Sequence, residues 1–274
     1  MDTSGANVER SKSSASLQTC MWNWSSDGAT EFRYVVDLNK REVGPETIQR
    51  TAVNQAPECA KVRAERQRRD GKVYSQIAQR FNDQRGRAEL DKNLVEAIQS
   101  IEDSTKAGYL RANWISASPD NSYALYTGPG KPLLLIDVAT LSTRVLAKAD
   151  LYRRTPAAWS ADSRFVAFAP PGTDQLQIYG TEEHAVVSTK SGAGQWVEAL
   201  SWSPDMQHIA AFSFQNRRMN KTPLGLLGAA AGHPEFRNDG VLNVYSVSDE
   251  KRVSLVLKRG VSEMSSPNIE FEWK

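Results

Sequence analysis

A phrase of about a dozen residues occurs three times in this sequence at nearly constant spacing. It reads NWISASPDNSYALY at 113–126, AAWSADSRFVAF at 157–168 and ALSWSPDMQHIAAF at 199–212. Aligning the polar turns places Ala117, Trp159 and Trp202 in register, 42 and 43 residues apart. A period in the low forties, with several short strands in each unit, is typical of a β-propeller. We therefore expect an all-β fold, with about four recognisable blades or a propeller fragment, and an α-helical insertion.

The polar centre of each phrase predicts a tight turn between two strands. Ser and Asp side chains accept backbone N–H groups locally, and proline at 119 or 204 presets φ for a type I turn. Asp120, Asp162 and Asp205 are therefore interpreted as turn-forming residues rather than as catalytic or metal-binding carboxylates. The tryptophans at the equivalent position are interpreted as core residues.

A second hairpin follows each phrase. An aliphatic or aromatic strand, a short polar turn and a Val-rich strand occur at 133–148, 176–190, 242–258 and 33–43. Alternation near period two within these segments is typical of strands.

The first blade leaves two arrangements open. Residues 18–24 are either an innermost strand, or the second strand of a blade whose first strand comes from NIEFEWK at 268–274. The second arrangement joins both termini in one blade and leaves four blades, whereas the interruption of the repeat at Trp273-Lys274 favours an incomplete propeller. The predicted organisation is a disordered leader at 1–16, outer strands of the first blade at 17–47, a helical insertion at 48–108 and further blades at 109–274.

The insertion at 48–108 switches to helical periodicity. Apolar residues recur at Val73, Ile77 and Phe81, and again at Leu90, Leu94, Ile98 and Ile101. Asp83 is the expected N-cap of a helix and Pro57 an expected first helical residue, with helix ends at Asp70-Gly71 and Gly108. These signals predict two or three helices on the rim of the propeller.

The same insertion carries the main basic segment. Between Lys61 and Lys92 there are ten Lys and Arg residues against five Asp and Glu. Its densest part consists of Lys61, Arg63, Arg66, Arg68, Arg69 and Lys72. These residues form either a solvated helix face or a patch for an acidic partner. Nucleic acid is disfavoured as that partner because no aromatic residue is interleaved with the densest part.

A second candidate surface lies at 214–239, where the repeat exceeds its period. The segment is rich in Gly and Ala around LGLLGAAAG. It is predicted to be an inserted loop, which either binds a partner or is a tolerated surface insertion. Its candidate residues are Arg217, Arg218, Lys221, His233 and Arg237.

Composition excludes several classes of protein. The formal net charge is +2, which gives no expectation of binding to nucleic acid or to an anionic membrane. No apolar run approaches the ~18 residues of a membrane helix, and the polar N-terminus lacks the apolar core of a signal peptide. Cys20 and Cys59 are either one disulfide or two unrelated thiols.

No constellation of catalytic residues is recognisable. The three histidines, His184, His208 and His233, stand in no metal-binding motif, and SGAGQ at 191–195 lacks the nucleophile of a Ser elbow. Gly128-Pro129-Gly130 leads into a strand rather than a helix, so it is not a phosphate-binding loop. We expect no catalytic, metal-binding or cofactor-binding residues, and the sequence does not indicate a small-molecule ligand.

The phrase WSPDMQHIAAF, together with WSADSRFVAF and ISASPDNSYALY, resembles the repeat of TolB-like, WD-related β-propellers. Their usual unit is W-S-P-D-G followed by an apolar strand. Here Asn121, Ser163 and Met206 replace the glycine, and Ala117 replaces one tryptophan. The resemblance covers residues 109–213, with weaker support at 18–43 and 240–274. It implies a scaffold that binds proteins and favours a periplasmic or extracellular location, but it carries over no catalytic positions.

Two functions follow from these observations. The first is a non-catalytic propeller scaffold that mediates protein–protein interaction. The alternative is an accessory propeller domain of a larger hydrolase, similar to prolyl oligopeptidase, whose catalytic domain lies outside this chain.

Overall fold

The computed structural model describes residues 16–22, 30–37, 42–49, 58–85, 90–106, 114–151, 154–193, 196–217, 237–249, 251–261 and 268–273. In the strands at both ends of the chain, and at the ends of several other elements, only the backbone is described. The predicted leader at 1–16 lies almost entirely outside these residues.

Four antiparallel sheets of four strands each make up most of this fold, as propeller blades do. The second blade contains β4 (Trp114–Ala117), β5 (Tyr123–Thr127), β6 (Leu133–Asp137) and β7 (Thr143–Ala147). The third contains β8 (Ala157–Trp159), β9 (Phe165–Phe168), β10 (Gln175–Gly180) and β11 (Ala185–Ser191). The fourth contains β12 (Trp196–Trp202), β13 (His208–Arg217), β14 (Arg237–Ser246) and β15 (Arg252–Val261). The predicted all-β propeller fold with about four blades is confirmed.

The first blade joins the two ends of the described chain. Its strands are β1 (Ser16–Trp22), β2 (Thr30–Asp37), β3 (Glu42–Gln49) and β16 (Asn268–Trp273). Strand β16 pairs with β1 from Leu17↔Trp273 to Trp22↔Asn268, so the order is β16-β1-β2-β3. Of the two arrangements left open by the sequence, the one in which 18–24 is an innermost strand is wrong, because β1 is the second strand. Strand β16 lies beside β12, which places the first blade next to the fourth.

The repeated turn has one hydrogen-bond pattern in all three blades. Ser118, Ser160 and Ser203 are buried, and each Oγ donates to the Asp two residues later at 2.6, 2.6 and 2.5 Å. Each Oγ also accepts the N–H of the first residue of the next strand, at 3.0, 2.9 and 2.9 Å. The turn role predicted for the three aspartates is confirmed by these bonds.

The residue after each Asp has left-handed backbone geometry. φ is 65° at Asn121, 66° at Ser163 and 58° at Met206. These are the positions at which the resembling repeats carry glycine, which adopts a positive φ without steric cost. The three exchanges therefore leave the turn geometry unchanged while placing a side chain in a disfavoured backbone region.

The tryptophans hold neighbouring blades together. Trp159 Nε1 donates to the carbonyl of Ser116 at 3.0 Å, and Trp202 Nε1 donates to the carbonyl of Ala158 at 3.1 Å. Each acceptor is the residue directly before the equivalent position in the preceding blade. The indoles also stack on the preceding blade, with Trp159 6.4 Å from Tyr123 and Trp202 6.2 Å from Phe165 between ring centroids. The predicted core role of these residues thus includes a directional bond between blades.

Two helices are described between the first and second blades: α1 (Glu58–Gln84) and α2 (Lys92–Lys106). Their apolar residues Val73, Ile77, Leu94 and Ile98 are at most 3% exposed and pack on the second blade. They cover the face of that sheet formed by Ala124, Leu134 and Ile136, so the expected position on the rim is wrong. Helices placed on the rim would leave their own apolar stripes and this sheet face exposed to water.

The predicted helix ends also need correction. Helix α1 continues through Asp70-Gly71, because Asp70 is buried against the blade and Gly71 lies on the exposed side in open space. Asp83 lies in the last turn of α1 and is not an N-cap. The residue that caps α2 is Asp91, whose Oδ1 accepts the N–H of Asn93 at 2.8 Å. Pro57 and Gly108 lie outside the described residues.

Candidate interaction surface

Helix α1 has a buried side and a solvent-facing side. Val73 and Ile77 are fully buried against the second blade, while Arg68 and Lys72 are exposed. Arg68 and Lys72 are four residues apart, so they lie on one face of the helix, opposite the apolar stripe. Within the described part of the chain neither residue forms an ion pair. Their charges are therefore available to solvent or to a partner.

The predicted basic patch is not a single surface. Arg66 and Arg69 are half-buried and flank Asp70, whose side chain is 6% exposed. Burial raises the pKa of Asp70, and the Ala117 N–H and both arginines oppose that increase only in part. Arg66 and Arg69 of the predicted patch thus interact electrostatically with a buried carboxylate. Lys61 and Arg63 lie in the first turns of α1, but their side chains are outside the described residues.

The second predicted surface differs from a simple loop. Arg217 and Arg237 are paired residues of β13 and β14, so their placement in a loop is wrong. Strands β13 and β14 stay paired as far as Arg217 and Arg237, so this hairpin is longer than the hairpins of the other blades. Arg218, Lys221 and His233 lie outside the described residues. The backbones of Cys20 and Cys59 lie in β1 and α1, but the side chains are not described, so the disulfide stays a prediction.

A polar cleft of about 930 Å³ lies between the C-terminal half of α1 and the second blade. Gln76, Gln79, Arg80 and Asp83 line it from the helix, and Asn121 and Asp137 belong to its lining on the blade side. Arg80 Nη1 donates to the carbonyl of Ala139 at 3.1 Å and so joins the two walls. The cleft adjoins the exposed face of α1 and extends the polar surface around it.

Two acidic residues that the sequence analysis did not identify as contacts fix the helices to the blade. Asp70 Oδ1 accepts the N–H of Ala117 at 2.9 Å. Asp91 Oδ2 accepts the hydroxyl of Thr143 at 2.7 Å and its N–H at 3.3 Å. Burial would raise the pKa of Asp91, but the bonds from Thr143, Asn93 and Leu94 outweigh it and hold the pKa below its usual value. The sequence D-K-N-L is an N-cap signal for Asp91, whereas no local pattern indicates the bond of Asp70.

In the described ranges, no group of three or more His, Cys, Asp and Glu residues could hold a metal ion. His184 is exposed in a turn, where its carbonyl accepts Arg144 Nη1 at 3.0 Å, and His208 begins β13. The turn carboxylates of Asp120 and Asp205 are engaged by their own loops. Burial would raise the pKa of each, but the bonds from Ser118 and Ser203 and from nearby N–H groups lower it below the usual value. Neither of the two described helices is long and apolar enough to span a membrane.

No protein-family model matches the sequence, and no curated protein is similar to it. Solved structures with a similar fold include Kuenenia stuttgartiensis hydrazine synthase, at 14% identity and a TM-score of 0.38 over 53% of this chain and 35% of that chain. The β-propeller domain of Myceliophteria thermophila Cps50 (Swd1) is similar at 11% identity and a TM-score of 0.35, over 57% and 41% of the two chains. The WD40 repeats of RRP9 are similar at 14% identity and a TM-score of 0.36, over 53% and 39%. This chain therefore spans about two fifths of these structures or less.

Proposed function

We propose that this protein is a non-catalytic β-propeller scaffold, and that the exposed face of α1 binds an acidic segment of a protein partner. The observation that carries the proposal is the division of α1 into two sides. One side is fixed to the second blade through fully buried Val73 and Ile77, and the other exposes Arg68 and Lys72. A rigid helix that displays cations which form no ion pair among the described residues is suited to recognition of acidic side chains.

An acidic protein segment fits this face better than nucleic acid does. Binding of single strands usually combines cations with exposed aromatic rings that stack on the bases. The aromatic residue nearest on α1 is Tyr74, which packs against the apolar cluster between helices and blade. The side chains that continue the exposed face are Ser75, Gln76 and Gln79, which can bond to peptide groups but offer no stacking surface.

The test is a charge reversal with a matched control. Arg68→Glu/Lys72→Glu changes the proposed face, while Lys148→Glu/Arg154→Glu makes the same charge change at two exposed residues of the second and third blades. Binding is measured by fluorescence anisotropy with labelled oligo-glutamate and with a labelled single-stranded oligonucleotide. We expect the parent and the control to bind oligo-glutamate in a salt-dependent manner, and the α1 variant to lose that binding.

Equal binding of oligo-glutamate by the parent and the α1 variant would refute the proposed face. Tighter binding of the oligonucleotide than of oligo-glutamate would reject a protein partner in favour of nucleic acid. Affinity purification from the native source with the same three proteins then identifies the partner, which should be lost only with the α1 variant.

A further inference from the structure

The exposed side of α1 carries opposite charges towards its two ends. A single stripe runs along this side, because its members follow one another at intervals of three or four residues. The stripe consists of Arg68, Lys72, Gln76, Gln79 and Asp83, all of which are exposed. It begins with the two cations of the proposed binding face and ends at a carboxylate in the last turn of the helix. A ligand that lies along α1 therefore meets positive charge at one end of the stripe and negative charge at the other.

The negative end of the stripe lies in the polar cleft between α1 and the second blade. Asp83 lines this cleft from the helix, and Asp137 lines it from the blade. The Oδ1 atom of Asp137 accepts two N–H groups of its own turn at 2.9 and 2.8 Å, so this carboxylate is held in place. Arg80 is the one cation in the lining, so two carboxylates stand against one guanidinium and the net charge is negative. The cleft thus favours a cationic group over an anionic one.

The carboxylate of Asp83 has no cationic partner in the described part of the chain. Arg80 donates to the Ala139 carbonyl at 3.1 Å, and neither Arg80 nor Arg85 forms an ion pair with Asp83 among the described residues. The last turn of α1 contains no basic residue. The C-terminal end of a helix carries a partial negative charge, so a carboxylate there is unfavourable and a cation is favourable. A basic group from outside the chain would therefore be attracted both by Asp83 and by the end of the helix.

We propose that the cleft binds a basic side chain of the same protein segment whose acidic residues lie along Arg68 and Lys72, an inference that rests on the function proposed above. Lys72 and Asp83 are 11 residues apart, which corresponds to about 16 Å along a helix. An extended chain covers this distance in about five residues. The partner segment should therefore carry a basic residue about five positions from its acidic residues. Between the two ends, the amides of Gln76 and Gln79 can bond to main-chain groups of the segment.

The test measures the binding of three labelled peptides, each with an amidated C-terminus, by fluorescence anisotropy. The matched peptide is Glu-Glu-Glu-Ser-Gly-Ser-Gly-Lys, in which Lys stands about five positions from the last Glu, as the helix requires. The second peptide has the same composition in the order Glu-Glu-Glu-Lys-Ser-Gly-Ser-Gly, and the third has Gln in place of the terminal Lys. We expect the parent to bind the matched peptide about two- to fivefold more tightly than either of the others, which is the contribution of one exposed ion pair.

Asp83→Asn should abolish this preference, because it removes the charge at the end of the stripe. Loss of a carboxylate from the last turn should stabilise α1 rather than unfold it, so a lost preference reports binding and not folding. Glu102→Gln makes the same charge change at an exposed residue of α2 and should retain the preference. Asp83→Asn should bind oligo-glutamate at least as tightly as the parent does, since it leaves Arg68 and Lys72 intact.

Equal binding of the three peptides by a parent that still binds oligo-glutamate would overturn the inference and leave the proposed function standing. A preference that survives in Asp83→Asn would also overturn it, because the basic side chain would then bind elsewhere. Equal loss of the preference in Asp83→Asn and Glu102→Gln would assign it to overall charge instead of the cleft. If the parent binds neither oligo-glutamate nor any of the peptides, the proposed function fails and the inference fails with it.

Discussion

Removal of the serine hydroxyl in the repeated turn is the perturbation whose cost is best defined by the structure. Ser203 is 1% exposed, and its Oγ donates to Asp205 at 2.5 Å while accepting the N–H of His208 at 2.9 Å. Ser203→Ala deletes both bonds at once. It leaves the N–H at the start of β13 without that acceptor and removes a donor from an ionised carboxylate.

A hydrogen bond to a charged group contributes about 1.5–3 kcal/mol, and a buried donor left unpaired costs about 1–3 kcal/mol. These contributions overlap, because the turn can relax toward water on its Asp205 side. We therefore expect Ser203→Ala to lower the free energy of unfolding by about 2–3 kcal/mol. Ser118→Ala and Ser160→Ala should behave similarly, since both residues are fully buried and make the same two bonds.

The assay is urea unfolding followed by tryptophan fluorescence, in which a change of midpoint at constant slope reports a change of stability. The control is Ser75→Ala in α1, whose exposed Oγ bonds only to the Gly71 carbonyl and whose replacement should be nearly neutral. A loss below about 0.5 kcal/mol for all three turn variants would refute the reasoning, because it would mean that neither bond contributes.

Acid should reduce this effect. The pKa of Asp205 lies below its usual value in the folded state, so its contribution is present above about pH 4 and is lost as pH falls through the folded pKa. Ser203→Ala removes one cause of the lowered pKa. The stability difference between parent and variant should therefore shrink toward pH 2, and an unchanged difference would show that the charge of Asp205 is irrelevant to the turn.

Substitutions at three further positions test the two helices and the blade contacts. Asp70→Asn should leave the protein at least as stable as the parent at neutral pH. Burial raises the pKa of Asp70, so the parent loses stability as pH rises through that pKa. Asp70→Ala removes the acceptor of the Ala117 N–H and should therefore destabilise the protein. Gly71→Ala should stabilise by about 0.5–1 kcal/mol in urea unfolding, since the added Cβ meets open space in mid-helix and reduces the freedom of the unfolded chain. Trp159→Phe retains a ring near Tyr123 but loses the bond to the Ser116 carbonyl, so it should lower the free energy of unfolding by at least about 1 kcal/mol. An unchanged free energy of unfolding would show that this bond does not stabilise the contact between the blades.

The blades could be predicted because their determinants are local. The Ser-x-Asp turn closes its hydrogen bonds within five residues, and the tryptophan position is fixed by that turn, so the period is visible in the sequence. The left-handed residues Asn121, Ser163 and Met206 were identified as exchanges for glycine for the same reason.

The position of the helices could not be predicted in this way. The bonds that dock them join residues 47 and 52 positions apart, Asp70 with Ala117 and Asp91 with Thr143. Asp70-Gly71 reads as a helix end because Asp and Gly favour turns, but burial of Asp70 against β4 keeps the helix continuous. The amphipathic stripe predicts that the helices bury an apolar face, but only the structure shows that they bury it against the face of a β-sheet.

The bond from each indole to the preceding blade has a geometric consequence. Both bonds join a tryptophan to the residue just before the same position in the neighbouring blade, at 3.0 and 3.1 Å. A donor and an acceptor repeated at equivalent places impose the same rotation and offset from one blade to the next. The two bonds therefore favour the same relative orientation for the second and third blades as for the third and fourth. In the third and fourth blades, one tryptophan side chain thus contributes directly to the angle at which each blade is turned relative to the blade before it.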